Sequence, residues 1–196
     1  MDGDYVTLAG FTAYLQASEI AADQDVIQSA LLAAERSINR HCARRFAAPS
    51  GSASSRSYVP RGDEVVTHDF DNTTGLVVTD DGATVSSSEY QLEPLNNLTA
   101  SGLTVPFYRI RLINSCWARD GKRATVTVNT ARWGWAAVPA EVPEATMILG
   151  KDLAHMRGTR FGVAGFDTFG AVRVRENPVV ASLLTELRHP NAIGIA

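Results

Sequence analysis

Apolar residues recur at helical spacing near both ends of the chain and at strand spacing between them. After Thr7, a good N-cap residue, Leu8, Phe11 and Leu15 repeat with Tyr14 alongside, which predicts a first helix that Gly10 keeps short. A second helix begins after Asp23 or Asp25, where Asp25 and Gln28 resemble a capping box with Asp in place of Ser or Thr. Ile27, Leu31, Ala34 and Ile38 give it one apolar stripe, widened by Ala30. Glu35, Arg36, Asn39 and Arg40 fall on the other side. The stripe ends near Cys42, and Arg44-Arg45-Phe46 closes the segment.

Pro49 to Ser55 is rich in Ser, Gly and Ala and reads as a connector. From about Arg56 to Trp135 the period changes to two. Val77-Val78-Thr79 and Thr84-Val85 flank Asp81-Gly82, whose residues accept the positive φ angles of a tight hairpin turn. Tyr90 and Leu92 alternate with Glu89, Gln91 and Glu93. Tyr108, Ile110 and Leu112 alternate with Arg109 and Arg111, and Val126 and Val128 alternate with polar residues after a second turn at Asp120-Gly121. Short strands broken by Gly, Pro and Asn predict an antiparallel sheet or small barrel.

Trp133-Gly134-Trp135 then reads as a strand end that turns through Val138-Pro139 into a helix. Pro143 suits the first helical turn, where its missing N–H costs nothing, and Gly158 suits the stop. Ala145, Leu149, Leu153 and Met156 form the apolar face, with Ile148 beside it, and this face should dock on the helix carrying Ile27 to Ile38. Gly162, Gly165 and Gly170 mark a loop, Val172 to Arg175 a short strand, and Asn177-Pro178 the cap of a last helix of about three turns with Val180, Leu183, Leu184 and Leu187 on its apolar face. The expected fold is α+β: a helical core of about four helices, from residues 1–48 and 136–196, into which a β-rich subdomain of residues 49–135 is inserted.

The chain has 196 residues, 45% hydrophobic and 20% charged, with a net charge of −3, which suits one globular domain, or one domain with an inserted subdomain, and excludes a bulk polyanion binder. The acidic N-terminus has no apolar core of a signal peptide, and no apolar run approaches a membrane span; both point to a cytoplasmic chain without membrane contact. Cys42 and Cys116 are then expected as buried, reduced thiols. His41, His68, His155 and His189 lack metal-ligand spacing and read as solvated or interface residues, and Asp69, Asp71, Thr73 and Asp80 read as an acidic turn rather than a calcium loop. No nucleophile elbow, phosphate loop or dinucleotide fingerprint occurs, so no catalytic, cofactor or metal residue is expected and the chain is read as a non-enzyme.

The basic pairs Arg109/Arg111 and Arg173/Arg175 each share one strand face, and Arg44-Arg45 are adjacent. They are candidates for contact with a neighbouring subunit or with phosphate; the wet face of an edge strand is the plainer alternative. A nucleic-acid-binding barrel would interleave aromatics with these arginines, whereas Tyr108 falls on the face opposite Arg109 and Arg111. A hydrolase or carbohydrate-active enzyme would need converging carboxylates, which the sequence alone does not identify.

The order of these parts resembles the head–tail connector (adaptor) proteins of long-tailed double-stranded DNA phages. The resemblance is carried by Tyr5-Val6-Thr7-Leu8 with Phe11 and Tyr14-Leu15, by Asp25-Val26-Ile27 through Arg44-Arg45-Phe46, by Trp133-Gly134-Trp135 with Val142-Pro143-Glu144-Ala145, and by Gly170 to Arg173 with Pro178-Val179-Val180 and Leu183-Leu184. It implies a virion neck protein assembled in the host cytoplasm: a ring, commonly of twelve copies, below the portal. Its partners would be the portal on one side and a stopper or tail-completion protein on the other, with transient contact to genomic DNA. The resemblance also implies that the C-terminal region engages the portal, which makes Val180, Leu183, Leu184, Leu187, Ile193 and Ile195 the candidate partner-binding residues.

Overall fold

The computed structural model describes residues 3–20, 23–47, 54–71, 75–117, 124–128, 133–158 and 177–190. The fold is α+β, and the chain divides into two compact units: Met1–Phe46 with Val138–Ala196, and Ala47–Ala137.

The first unit is helical. Helix α1 spans Leu8–Ala17, and its Thr7 side chain caps it by accepting a hydrogen bond from the Gly10 amide at 3.1 Å. Helix α2 spans Gln24–Cys42. It starts one residue before Asp25, so the capping box expected at Asp25 and Gln28 does not form; Asp23 is the N-cap residue and Asp25 sits in the first turn, where the helix dipole favours its charge. The chain leaves α2 through Ala43 in the left-handed region, φ 51°, with the Arg44 amide donating back to the Asn39 carbonyl. Helix α3 spans Glu141–Gly158 with Pro143 in its first turn. Helix α4 spans Pro178–Leu183; its Asn177 side chain accepts from the Val179 and Val180 amides at 3.1 Å each, and a 3₁₀ turn, Thr185–Leu187, follows. This is shorter than the three-turn helix that the leucine spacing predicts, because the backbone tightens after Leu184.

α3 packs chiefly on α2. Its buried residues, Val142, Ala145, Thr146, Leu149, Gly150 and Ala154, recur at three and four positions. Met156, expected on this face, is 36% exposed, because the stripe ends at Ala154. Gly150 is where α3 approaches α1: a Cβ there would lie 2.7 Å from Cζ of Phe11, a fully buried ring. Phe11, Leu15, Ile27, Ala30, Leu31 and Ala154 form a continuous core across the three helices.

Glu35, expected on the polar side of α2, is only 4% exposed. Its carboxylate accepts the amides of Asp4 and Tyr5 at 3.1 and 2.9 Å, clamping the segment before α1 onto α2. The Tyr5 hydroxyl donates to Asn39 Oδ1 and accepts the Phe46 amide at 3.0 Å. Burial pushes that hydroxyl up to about 12.

Among its described residues the second unit holds seven strands in two antiparallel sheets. Strands β1 (Ser54–Tyr58), β3 (Leu76–Asp80), β4 (Ala83–Val85) and β7 (Ala124–Val128) form one, in the order β1-β7-β3-β4. Strands β2 (Glu64–Phe70), β5 (Tyr90–Glu93) and β6 (Phe107–Leu112) form the other, in the order β2-β6-β5. β3 and β4 form the hairpin expected at Asp81-Gly82, both residues at positive φ (51° and 84°). Ser54 and Ser55, read as connector, are the first residues of β1, because β7 supplies a pairing partner that no local signal announces. The sheets share a core of Val65, Phe70, Val78, Ile110, Leu112, Trp117 and Trp133.

Trp133 and Trp135 do not lie in a described strand: Trp133 makes a single bridge to Phe70. Each indole N–H is held by a strand or the turn before one. Trp117 donates to the Asp63 carbonyl at 2.9 Å, Trp133 to the Ser54 carbonyl at 3.0 Å and Trp135 to Asp69 Oδ2 at 3.1 Å. Asp69 lies in β2 and is buried, so it is not part of the solvated acidic turn expected there; its carboxylate serves the packing of Trp135.

Both cysteines are free thiols, but only Cys42 is buried; Cys116 is exposed, because it follows β6 outside the sheet. Burial pushes the Cys42 thiol up to about 12, against the opposing influence of Arg44 and Arg188. A thiol reagent at pH 8 should therefore titrate one cysteine rapidly and the second only on unfolding. Two equally fast thiols would contradict the packing of α2.

Candidate functional site

The charged face of the β2-β6-β5 sheet is the densest polar cluster among the described residues. The register sets Glu64 opposite Arg111, Gln91 opposite Arg111 and Glu93 opposite Arg109, so all share one face. Tyr90, Leu92, Ile110 and Leu112 take the other face and pack on the core. The alternation in the sequence therefore places Arg109 and Arg111 together, away from the apolar side.

Both arginines are engaged within their own sheet. Arg111 donates from Nε to Glu93 at 2.9 Å, from Nη1 to Asp63 at 2.8 Å and from Nη2 to Glu64 at 3.2 Å. Arg109 Nη1 lies 3.3 Å from Glu93 and 3.4 Å from Glu64. Three carboxylates thus surround two guanidinium groups. Partial burial pushes the Glu93 carboxyl up, but the hydrogen bond and charge of Arg111, with Gln91 and Arg109, outweigh it and hold the group below its ordinary value of 4.5. Hydrogen bonds and charge from Glu93 and Asp63 in turn raise the Arg111 guanidinium.

The stabilisation from a depressed carboxylate is present above the unfolded value and is lost as pH falls through the folded one. Arg111→Ala should therefore lower the melting temperature most at neutral pH, and the gap to wild type should close below about pH 4.5. A gap independent of pH would mean that Arg111 acts through packing of its stem rather than through charge.

The acidic partners were not singled out as a set by the sequence. The signal available was Gln91 and Glu93 on the polar face of their strand; Asp63 and Glu64 join only because the turn before β2 brings them against β6. The other candidates disperse. Val180, Leu184 and Leu187 are 0–2% exposed within the helical unit, so their apolar face serves that unit's own packing. Leu183 is half-buried, and Val179 is the apolar residue that α4 turns outward, at 56% exposure. Arg173, Arg175, Ile193 and Ile195, with the strand expected at Val172 to Arg175 and the turn at Asp120-Gly121, lie outside the described residues.

No group of three or more metal-capable side chains and no helix long and apolar enough to cross a membrane occurs among the described residues. A shallow depression on the helical unit, lined by Ile20, Lys151, Asp152, His155 and Met156, is open to solvent and presents no converging pair of carboxylates.

No protein-family profile and no curated protein sequence matches the chain. Solved structures do match its fold. A chain from the virion of a native gene transfer agent particle is 19% identical with a TM-score of 0.53, over 94% of this chain and 89% of that one. A chain from the neck of an empty gene transfer agent particle, computed with C6 symmetry, is 19% identical with a TM-score of 0.52, over 96% of this chain and 92% of that one. Over at least 94% of its length, then, the chain shares the fold of chains from the neck and the virion of gene transfer agent particles, in line with its resemblance to head–tail connector proteins.

Proposed function

We propose that this chain is a structural subunit of the virion neck, forming a ring below the portal that joins head to tail and lets DNA pass. The observation that carries the reading is the fold shared with a gene transfer agent neck chain over 96% of this chain and 92% of that one, helices and inserted sheets together. The ring, commonly of twelve copies in the connector family, would meet the portal on one side and a stopper or tail-completion protein on the other. The portal contact is placed on the C-terminal region, with Val179 and Leu183 its described outward or half-exposed apolar residues and Ile193 and Ile195 in the tail.

Charge supports the conduit role. DNA slides past a wall that offers few free cations, and dense arginine contacts would hold it by counterion release. The net charge is −3, and Arg109 and Arg111 are already matched by three carboxylates. In this reading the chain performs no catalysis.

The test is imaging the full chain mixed with portal rings, beside light scattering of the chain alone. Stacked rings coaxial with the portal are expected. A chain that stays monomeric and leaves portal rings bare would overturn the proposal, as would turnover of a nucleotide, ester or glycan abolished by one substitution in this chain.

A further inference from the structure

The solvent face of α2 is its own complement. At about 100° per residue, Asp25, Ser29, Leu32, Ala33, Arg36 and Arg40 fall within one stripe roughly 100° wide. It lies opposite the buried Ile27, Leu31, Ala34 and Ile38. Asp25, Ser29, Arg36 and Arg40 are exposed, and Leu32 and Ala33 are half-buried. Turned end for end about a point between Leu32 and Ala33, the stripe lays Arg40 on Asp25, Arg36 on Ser29 and Ala33 on Leu32. Guanidinium then meets carboxylate, guanidinium meets hydroxyl, and small or apolar residues meet in the middle.

The helix dipole accounts for part of this pattern, since it favours acid at the start of a helix and base at its end. It acts within the terminal turns, and Arg36 lies before the last turn of α2. It sets neither the matched spacing nor the small centre. Among the described residues no ion pair engages Asp25, Arg36 or Arg40, whereas Arg109 and Arg111 are matched within their own sheet. Duplex DNA would be drawn to the arginines and repelled by Asp25 on the same stripe. A second copy satisfies both ends at once, which no other partner is built to do.

We propose that two copies of this chain pair through this stripe, antiparallel about a two-fold axis between Leu32 and Ala33. Asp25 of each copy then meets the partner's Arg40, and Ser29 meets the partner's Arg36. Ser29 and Ala33 let the helix axes approach to about 8–10 Å. Asp25 and Arg40 lie about 11 Å on either side of the axis, at 1.5 Å per residue, so both charge pairs stay within reach at a shallow crossing. The inference stands apart from the ring reading. A two-fold contact closes on itself, so it holds free copies in pairs and is released when they join a neck.

The test is sedimentation of the full chain at rising concentration. So short a face buries less than a standard interface, so a weak monomer–dimer equilibrium is expected, with a Kd of about 10–1000 μM. Asp25→Arg alone and Arg40→Asp alone should each raise Kd at least about tenfold, because the symmetry repeats every like-charge contact. Mixing the two variants, or combining both changes in one chain, should restore the wild-type Kd. A wild type that stays monomeric would overturn the inference and leave the neck reading untouched, as would single reversals without effect. Weakening that neither combination rescues would overturn the antiparallel register. An assembly larger than a pair, dissolved by the reversals, would overturn the two-fold geometry. Reversing charge at the ends of α2 also weakens the helix, so a second measurement uses its centre. A short bismaleimide should join copies of Ala33→Cys, made with Cys116→Ser, through residue 33, and added Arg40→Asp should slow the reaction at least about tenfold. Cross-linking at the same rate with and without Arg40→Asp overturns the pairing.

Discussion

Leu149→Asp is expected to abolish the folded helical unit. Leu149 is fully buried on α3, among the residues that α3 turns toward α2. The substitution forfeits about 2–3 kcal/mol of apolar transfer. It also places a carboxylate without a partner in the core, at a further cost of several kcal/mol. The sum rivals the whole stability of an ordinary domain, about 5–15 kcal/mol. Loss of the thermal transition in circular dichroism is the expected result, with Leu149→Ala milder at about 2–5 kcal/mol. A melting temperature unchanged by Leu149→Asp would show that the face of α3 has been assigned wrongly.

Gly150→Val should destabilise the same unit by about 3 kcal/mol, although removing a helical glycine ordinarily stabilises. Two effects compete. Replacing glycine inside a helix with valine recovers at most about 0.5 kcal/mol of backbone entropy. Against that, the Phe11 ring lies 2.7 and 2.9 Å from where a Cβ would sit, and the ring is fully buried, so it cannot swing into solvent. Overpacking wins. The sharper measurement is the cycle with Phe11→Ala, which alone should cost about 3–5 kcal/mol. The double variant should lose clearly less than the sum, because each change relieves the other. Strict additivity would mean that Gly150 is small for some reason other than Phe11.

Only the first of these effects is within reach of a periodicity. The stripe through Ala145, Leu149 and Leu153 identifies a buried face and its direction. It does not reveal that Gly150 belongs to that face, since a glycine carries no hydropathy signal and its role is set by the ring that lies against it. Glu35 makes the same point with opposite sign. Its charge assigns it to the wet side of α2, yet two backbone amides of the preceding segment turn it inward. A buried carboxylate is tolerated where hydrogen-bond donors replace its water, and those donors come from residues about thirty positions away.

What the sequence by itself determined is local. Helical spacing placed α1, α2 and α3 and the last helix; Asp81-Gly82 placed one hairpin; the alternation around Arg109 and Arg111 placed both guanidinium groups on one face. The order of these parts also carried the resemblance to connector proteins, and the fold shared with chains from the neck and the virion of gene transfer agent particles agrees with it. These features are legible because each depends on a few neighbouring residues and on one geometric period.

The tertiary structure decided the pairings. The chain order of the strands does not announce that β7 lies between β1 and β3, or that β6 lies between β2 and β5. Those contacts set the network of Arg109 and Arg111 with Asp63, Glu64 and Glu93, and they turn two serines of an apparent connector into strand. Tertiary packing also consumed Val180, Leu184 and Leu187 within their own unit while it left Leu95 and Leu98 in solvent. A leucine reads the same in sequence whether it ends in a core or on a surface. Which of the two it becomes depends on the apolar partners that distant segments bring to it, and only the folded chain supplies those.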